Sequence, residues 1–174
     1  MNYEVSNWIG ALSEQSNKKS GCIPWSYEWA LRYKGAKVDF TTFQDEFDLA
    51  AKGKKLNHFS NVAREISARY PHVEFKWKTF CKGKGREKFQ ELEKKVTAGI
   101  LCTYSLAMTF GGQHDGWHVM PVVAIDDDHI TMVYAFHQGS RKAMLFKLPK
   151  SFLIDVHNDA RIQGGDDFAW LERC

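Results

Sequence analysis

The sequence predicts an α+β fold, and three observations predict it. Helical periodicities dominate roughly the first hundred residues. Short runs rich in β-branched and aromatic residues, separated by tight turns, dominate the rest of the chain. The two kinds of segment do not alternate, which argues for helices packed on an antiparallel sheet rather than for repeated βαβ units.

The first helix is read at "IPWSYEWALRY", where Ile23, Tyr27, Ala30 and Leu31 share a face. Pro24 suits a first helical turn, because its missing N–H would find no partner there. Gly35 suits the left-handed residue that comes after a helix. "TTFQDEFDLAAKG" predicts a second helix, with Thr41 or Thr42 as N-cap, acids in the first turn and Gly53 behind it. "NHFSNVAREISARYP" predicts a third, with Phe59, Val62, Ala63, Ile66 and Tyr70 at helical spacing and Pro71 as the stop. "VEFKWKTF" alternates apolar and charged residues, the mark of a half-exposed strand. "REKFQELEKKVTAG" predicts a fourth helix, buried through Phe89, Leu92 and Val96.

Past Gly99 the period shortens. "ILCTYSLAMTF" reads as a strand, "GGQHDG" as a turn and "WHVMPVVAI" as a second strand. "DDD" at 126–128 reads as a hairpin turn, "HITMVYAF" as a third strand and "RKAMLFKLP" as a fourth. "SFLIDVHNDARI" fits a helix or a strand, and "FAWLERC" fits a packed segment or a frayed one.

The chain has 174 residues, 44% hydrophobic and 14% aromatic, enough to bury a core as a single domain spanning 1–174. A net charge of +3 is too mild to imply a nucleic-acid partner, and no apolar stretch reaches the ~20 residues that span a bilayer. The N-terminus carries no basic-then-apolar leader pattern. Cys22, Cys81, Cys102 and Cys174 are scattered without a C-x-x-C pair, which suits free thiols in a reducing compartment; a cytoplasmic location is the expectation. Cys81 and Cys102 read as structural and Cys174 as exposed and incidental.

Cys22 opens the first helix. Unpaired N–H groups and the helix dipole favour an anion at such a position, so a thiolate gains there. Beside a histidinium, cysteine pKa values fall to roughly 3.5–7.5. A small buried hydrophobe is the alternative reading. Among the seven histidines, His118 stands at the head of a very apolar strand just after a glycine turn, where a ring is held firmly while facing a cleft. A thiol at a helix start and an imidazole at a strand start are the parts that Cys–His catalysis needs. "HDGWH" has His-x3-His spacing, but its turn-like setting and missing third ligand argue against a metal, and no cofactor is expected. "DDD" lacks the spacing of a calcium loop. Residues 76–95 carry eight Lys/Arg and three Glu, read as a solvated face. Of Trp25, Trp29, Trp77 and Trp117, only Trp117, beside His118, reads as a wall of a substrate groove.

"SGCIPWSYEWALRYKG" resembles the nucleophile segment of the papain-like peptidases of the C39 and C39-like group. "EKFQELEKKVTAGILCTYS" resembles that group's helix followed by a glycine and an apolar strand. "GWHVMPVVAIDDDHITMVYA" resembles its histidine strand, acidic hairpin turn and return strand. The three landmarks stand in order and cover most of residues 8–140. The resemblance implies a papain-like α+β fold, Cys22 as nucleophile and His118 as its base. It also implies a glutamine ahead of the nucleophile as oxyanion donor, here Gln15, with Asn17 as a substitute. It implies a peptide or protein substrate too. The group's Asp or Asn that orients the histidine has no match in "MVYAFHQG", where the position falls near Tyr134. Tyr134, His137 or Gln138, or Asp155, Asn158 or Asp159 from the tail, are the substitutes, and a bare dyad is the other option. The implied reaction is hydrolysis of a peptide or related amide through an acyl-enzyme. The alternatives are a catalytically degenerate domain that binds a peptide or protein, and an acyltransferase using the same pair.

Overall fold

A computed structural model describes residues 2–110, 113–159 and 167–174, with the side chains of 107–110 and 113–116 outside the description. Among the described residues seven strands form one antiparallel sheet: β1 Tyr3–Glu4, β2 Glu74–Lys78, β3 Cys102–Phe110, β4 Gln113–Ile125, β5 His129–His137, β6 Lys142–Pro149 and β7 Phe168–Arg173. The order across the sheet is β2-β7-β3-β4-β5-β6, and β1 pairs with β4 near its end. Five helices cover it: α1 Cys22–Lys34, α2 Phe43–Phe47, α3 Phe59–Arg69, α4 Gly85–Thr97 and α5 Lys150–Asn158.

Alternation along the strands builds two apolar cores. Val119, Val123 and Val133 pack with α1, α2 and α3, whereas Tyr104, Met120, Val122 and Met132 pack with α4 and α5. Helix α1 lies against β4, and its centre is buried on all sides rather than on one face. Trp25, Tyr27 and Trp29 are fully buried, and the tryptophan N–H groups donate to the carbonyls of Ser13 and Trp8, so the indoles leave no orphan donor. The one acid in the middle of the helix, Glu28, is buried and accepts from the exposed Arg32 at 2.6 Å. Gly35 ends the helix at φ 66°, as expected.

Several expectations shift at their boundaries. The second helix stops at Phe47, because the Asp48 carboxylate accepts from the Ala51 N–H and pulls the chain into a turn instead. Strand β4 begins at Gln113, so His118 sits inside a strand rather than at its head, and residues 113–116 pair with β3 across a bulge. Of the expected turn, 111–112 lie outside the described residues. The ambiguous "SFLIDVHN" is helix α5, and "FAWLER" is neither frayed nor peripheral: it is β7, hydrogen-bonded to β2 on one side and β3 on the other. Cys81 is exposed rather than structural, while Cys102 is buried in β3. Among the described residues no helix is long and apolar enough to cross a membrane.

Candidate active site

Cys22 is the first residue of α1, half-buried, with Gly21 at the N-cap and no side chain capping the helix. The helix start is therefore open toward the sulfur. Burial pushes the Cys22 thiol above its ordinary value. The backbone N–H groups of Val119, Cys22 and Ile23 oppose this by favouring the thiolate, and the Asp48 carboxylate adds to the upward push. The Val119 N–H lies close enough to favour the thiolate, which puts the sulfur beside β4 at the residue next to His118. One turn on, the Ser26 hydroxyl reaches the Val119 carbonyl at 3.4 Å, a tie between α1 and the same point of β4.

His118 is half-buried, and burial lowers its pKa below the usual histidine value, partly offset by the Tyr134 carbonyl. Its Nε2 stands 2.8 Å from that carbonyl, and the two rings meet edge-on at 4.8 Å. A carbonyl only accepts, so Nε2 carries the hydrogen and Nδ1 keeps the lone pair of the neutral ring. Tyr134 is free to accept because it sits at a bulge: the β5–β6 register passes from Val133↔Leu145 to Ala135↔Met144 and leaves Tyr134 without a partner. The Tyr134 ring is itself stacked on Phe146 at 4.6 Å, which fixes the bulge. The position where the sequence shows no carboxylate or amide is thus served by a main-chain oxygen.

No hydrogen bond between Cys22 and His118 is among the described contacts. Burial acts on both groups in the same sense, pushing the thiol up and the imidazole down, so it favours the neutral form of each.

Gln15 lines a cavity of about 200 Å³ together with His118, Tyr134 and Phe136, with Glu14 and His137 also on its wall; neither Cys22 nor Trp117 is part of that lining. One Gln15 N–H donates to the Asn17 carbonyl at 2.6 Å, which also accepts from the Gly21 N–H at 2.8 Å. Asn17 is not a substitute oxyanion donor, because its amide donates to Ser20 and to Asp48, both at 3.0 Å. Trp117 is exposed on β4 beside His118. His137 and Glu14 approach to 4.0 Å at the cavity, and the described bond of His118 is to the Tyr134 carbonyl. Asn158 donates nothing here either; its side chain accepts from the Gly85 N–H under α4. The side chain of His114 in the His-x3-His motif lies outside the described residues.

Asp48, Ser20 and Asn57 went unmarked in the sequence. The buried Asp48 carboxylate accepts from Ser20 Oγ at 2.7 Å, from the amides of Asn57 and Asn17 at 2.8 and 3.0 Å, and from the Ala51 N–H at 3.1 Å. Burial alone would raise it, but these bonds hold it below the usual carboxylate value. The only available signal was an acid placed between apolar residues, in "FDLA".

No protein-family model and no curated protein matches the chain. Among solved structures, a crystal structure of a candidate C39-like peptidase from Bacillus anthracis superposes with a TM-score of 0.60, at 13% identity, covering 99% of this chain and 98% of that one. At that identity the likeness speaks for the fold: the whole described chain follows the architecture of that protein.

Proposed function

We propose that the chain is one papain-like domain over residues 1–174, acting as a cysteine hydrolase on a peptide or related amide, with Cys22 as nucleophile and His118 as general base and acid. The observation that carries this reading is the shared point on β4. The sulfur lies by the Val119 N–H, while the adjacent residue, His118, has one nitrogen fixed on a carbonyl and the other left as the acceptor of the neutral ring. The likeness in fold to a candidate peptidase supports it.

Starting from a neutral pair, the sulfur attacks the carbonyl carbon as its proton passes to His118 Nδ1. Nδ1 and sulfur close up in the substrate complex, as catalytic hydrogen bonds commonly do. Backbone N–H groups at the α1 start and the second Gln15 N–H stabilise the tetrahedral oxyanion. The C–N bond then breaks, and His118 returns the proton to the leaving amine. Water attacks the thioester with His118 again as base, releasing the acid and the thiol. Because His118 protonates the leaving amine, the cavity it lines takes the leaving half of the substrate.

The test is acyl-enzyme capture. A reactive ester or amide incubated with the protein should leave an acyl adduct on Cys22 by mass mapping, and Cys22→Ala should abolish both adduct and turnover. Turnover that survives Cys22→Ala would refute the reading. That no hydrogen bond joins Cys22 to His118 among the described contacts favours one second reading, a domain that binds a peptide without turning it over; it predicts binding unchanged in Cys22→Ala and no adduct in the wild type. An amine or thiol acceptor in place of water would reveal itself as a transferred acyl product.

A further inference from the structure

We propose that Asp48 is a positioning residue for Cys22: through Ser20, Asn17 and Asn57 its buried carboxylate holds the 17–21 turn that sets where the sulfur meets β4. Apart from Asp48, the turn is held by its own bonds to Asn17, from the Lys19 N–H to the side-chain oxygen at 3.0 Å and from the Gly21 N–H to the carbonyl at 2.8 Å. Lys18 is exposed, α1 has no side-chain cap, and Gly21 is bound back to the Asn17 carbonyl so closely that a Cβ would lie 2.8 Å from that oxygen. The side-chain donors of Asn17 and Ser20 converge on one acceptor. Ser20 Oγ and Asn17 Nδ2 both reach Asp48 Oδ2, and Asn17 Nδ2 also reaches Ser20 Oγ. Asn57 closes the loop, giving one N–H to Asp48 Oδ1 and the other to the Ser20 carbonyl at 2.7 Å, while its own oxygen accepts from the Ala50 N–H. Every polar atom of Asn57 is thereby used, so the strap between the 48–57 segment and the residue two before Cys22 is fully paired.

The strap also reaches the Gln15 amide. Asn17, whose side chain is pinned to Asp48, presents the carbonyl that orients Gln15 and Gly21 together. Nucleophile and oxyanion donor are consequently referenced to one carboxylate. That carboxylate lies close enough to the sulfur for its charge to oppose the thiolate, which supplies a readout that a merely structural role would not move.

The proposal rests on Cys22 being the reacting group, and two readouts separate its failure from failure of the hydrolase reading. The first is the pH midpoint of Cys22 alkylation by iodoacetamide, mapped by mass with the exposed Cys81 and Cys174 as references; it needs no turnover. The second is kcat on a reactive ester. Asp48→Asn should move the Cys22 midpoint to lower pH, because the opposing charge is gone, and lower kcat by about 10²-fold with little change in KM, the scale of an ångström's misplacement. Ser20→Ala keeps the charge and removes one tie, so it should lower kcat with the midpoint unmoved; it also serves if Asp48→Asn fails to fold. Both variants within twofold of wild-type kcat, or an unmoved midpoint in folded Asp48→Asn, would overturn the proposal. If the wild type turns over no ester, the hydrolase reading falls and the midpoint alone decides the role of Asp48. Should Asp48→Asn then not fold, a Cys22 alkylation rate unchanged by Ser20→Ala overturns it.

Discussion

Asp167→Asn removes one charge from the α4–α5 core and almost no volume. Lys88, 5% exposed at its side chain, donates to Asp167 Oδ1 at 2.8 Å and lies 4.4 Å from the Tyr104 ring centroid. The His157 ring lies 3.5 Å from the ammonium and 3.4 Å from the carboxylate, and its other nitrogen faces the Cys81 carbonyl. Asp167 Oδ2 meanwhile accepts from the Phe80 N–H. The substitution leaves an ammonium in a dry site with a ring face and an imidazole but no anion. Breaking a buried pair from one side typically costs about 3–5 kcal/mol. Unfolding entropy of about 2.1 cal/mol/K per residue over the 174 residues gives about 0.37 kcal/mol/K, so Tm should fall by about 8–14 °C. Calorimetry reads this directly. Replacing both partners, in Lys88→Met with Asp167→Leu, should recover most of the loss, since no charge is then stranded. A drop under about 3 °C for Asp167→Asn would refute the reasoning and mean that the ammonium reaches water.

The site implies four further outcomes. Cys22 alkylation should keep rising through pH 9, because burial holds the thiol above its ordinary value, and a plateau near neutrality would instead mark a thiolate. Hydrolysis needs unprotonated His118, whose pKa lies below the usual 6.5, so the acid limb of kcat/KM should fall below that pH; a limb above it contradicts the buried ring. Gln15→Ala should cost about 10²–10³ in kcat while leaving Cys22 alkylation unchanged, as loss of one oxyanion donor does. Cys102, buried with its thiol pushed up to about 12, should react only on unfolding, and labelling in the native protein would show that β3 opens.

The helices were legible wherever an apolar period ran long enough: α1, α3 and α4 stand where Ile23–Leu31, Phe59–Ile66 and Phe89–Val96 place them. The failure at α2 is local chemistry, since Asp48 spends its carboxylate on a turn that no periodicity announces. β7 was illegible for another reason: "FAWLER" becomes a strand only because β2 and β3 offer it two edges, and partners distant in sequence leave no local trace. At the site, residue type pointed to Cys22, His118 and Gln15 because thiol, imidazole and amide are distinctive. The partner of His118 could not be found that way. Every residue has a carbonyl, and what singles out Tyr134 is the bulge that leaves its oxygen outside the ladder. The direction in which burial pushes each group escaped too, because a sequence shows which groups are present but not how much water they keep.

The placement of β7 orders events on the ribosome. β2 and β3 are synthesised long before residues 168–173 emerge, and until then each presents an unpaired edge, β2 with Phe75 and Trp77 and β3 with Cys102 and Tyr104. The nascent chain must shelter these edges while it waits. A ribosome stalled between α5 and β7 should hold an intermediate with the β3-β4-β5-β6 run formed but open-edged and prone to pair with itself, and the late strand becomes the clasp whose arrival makes the sheet continuous.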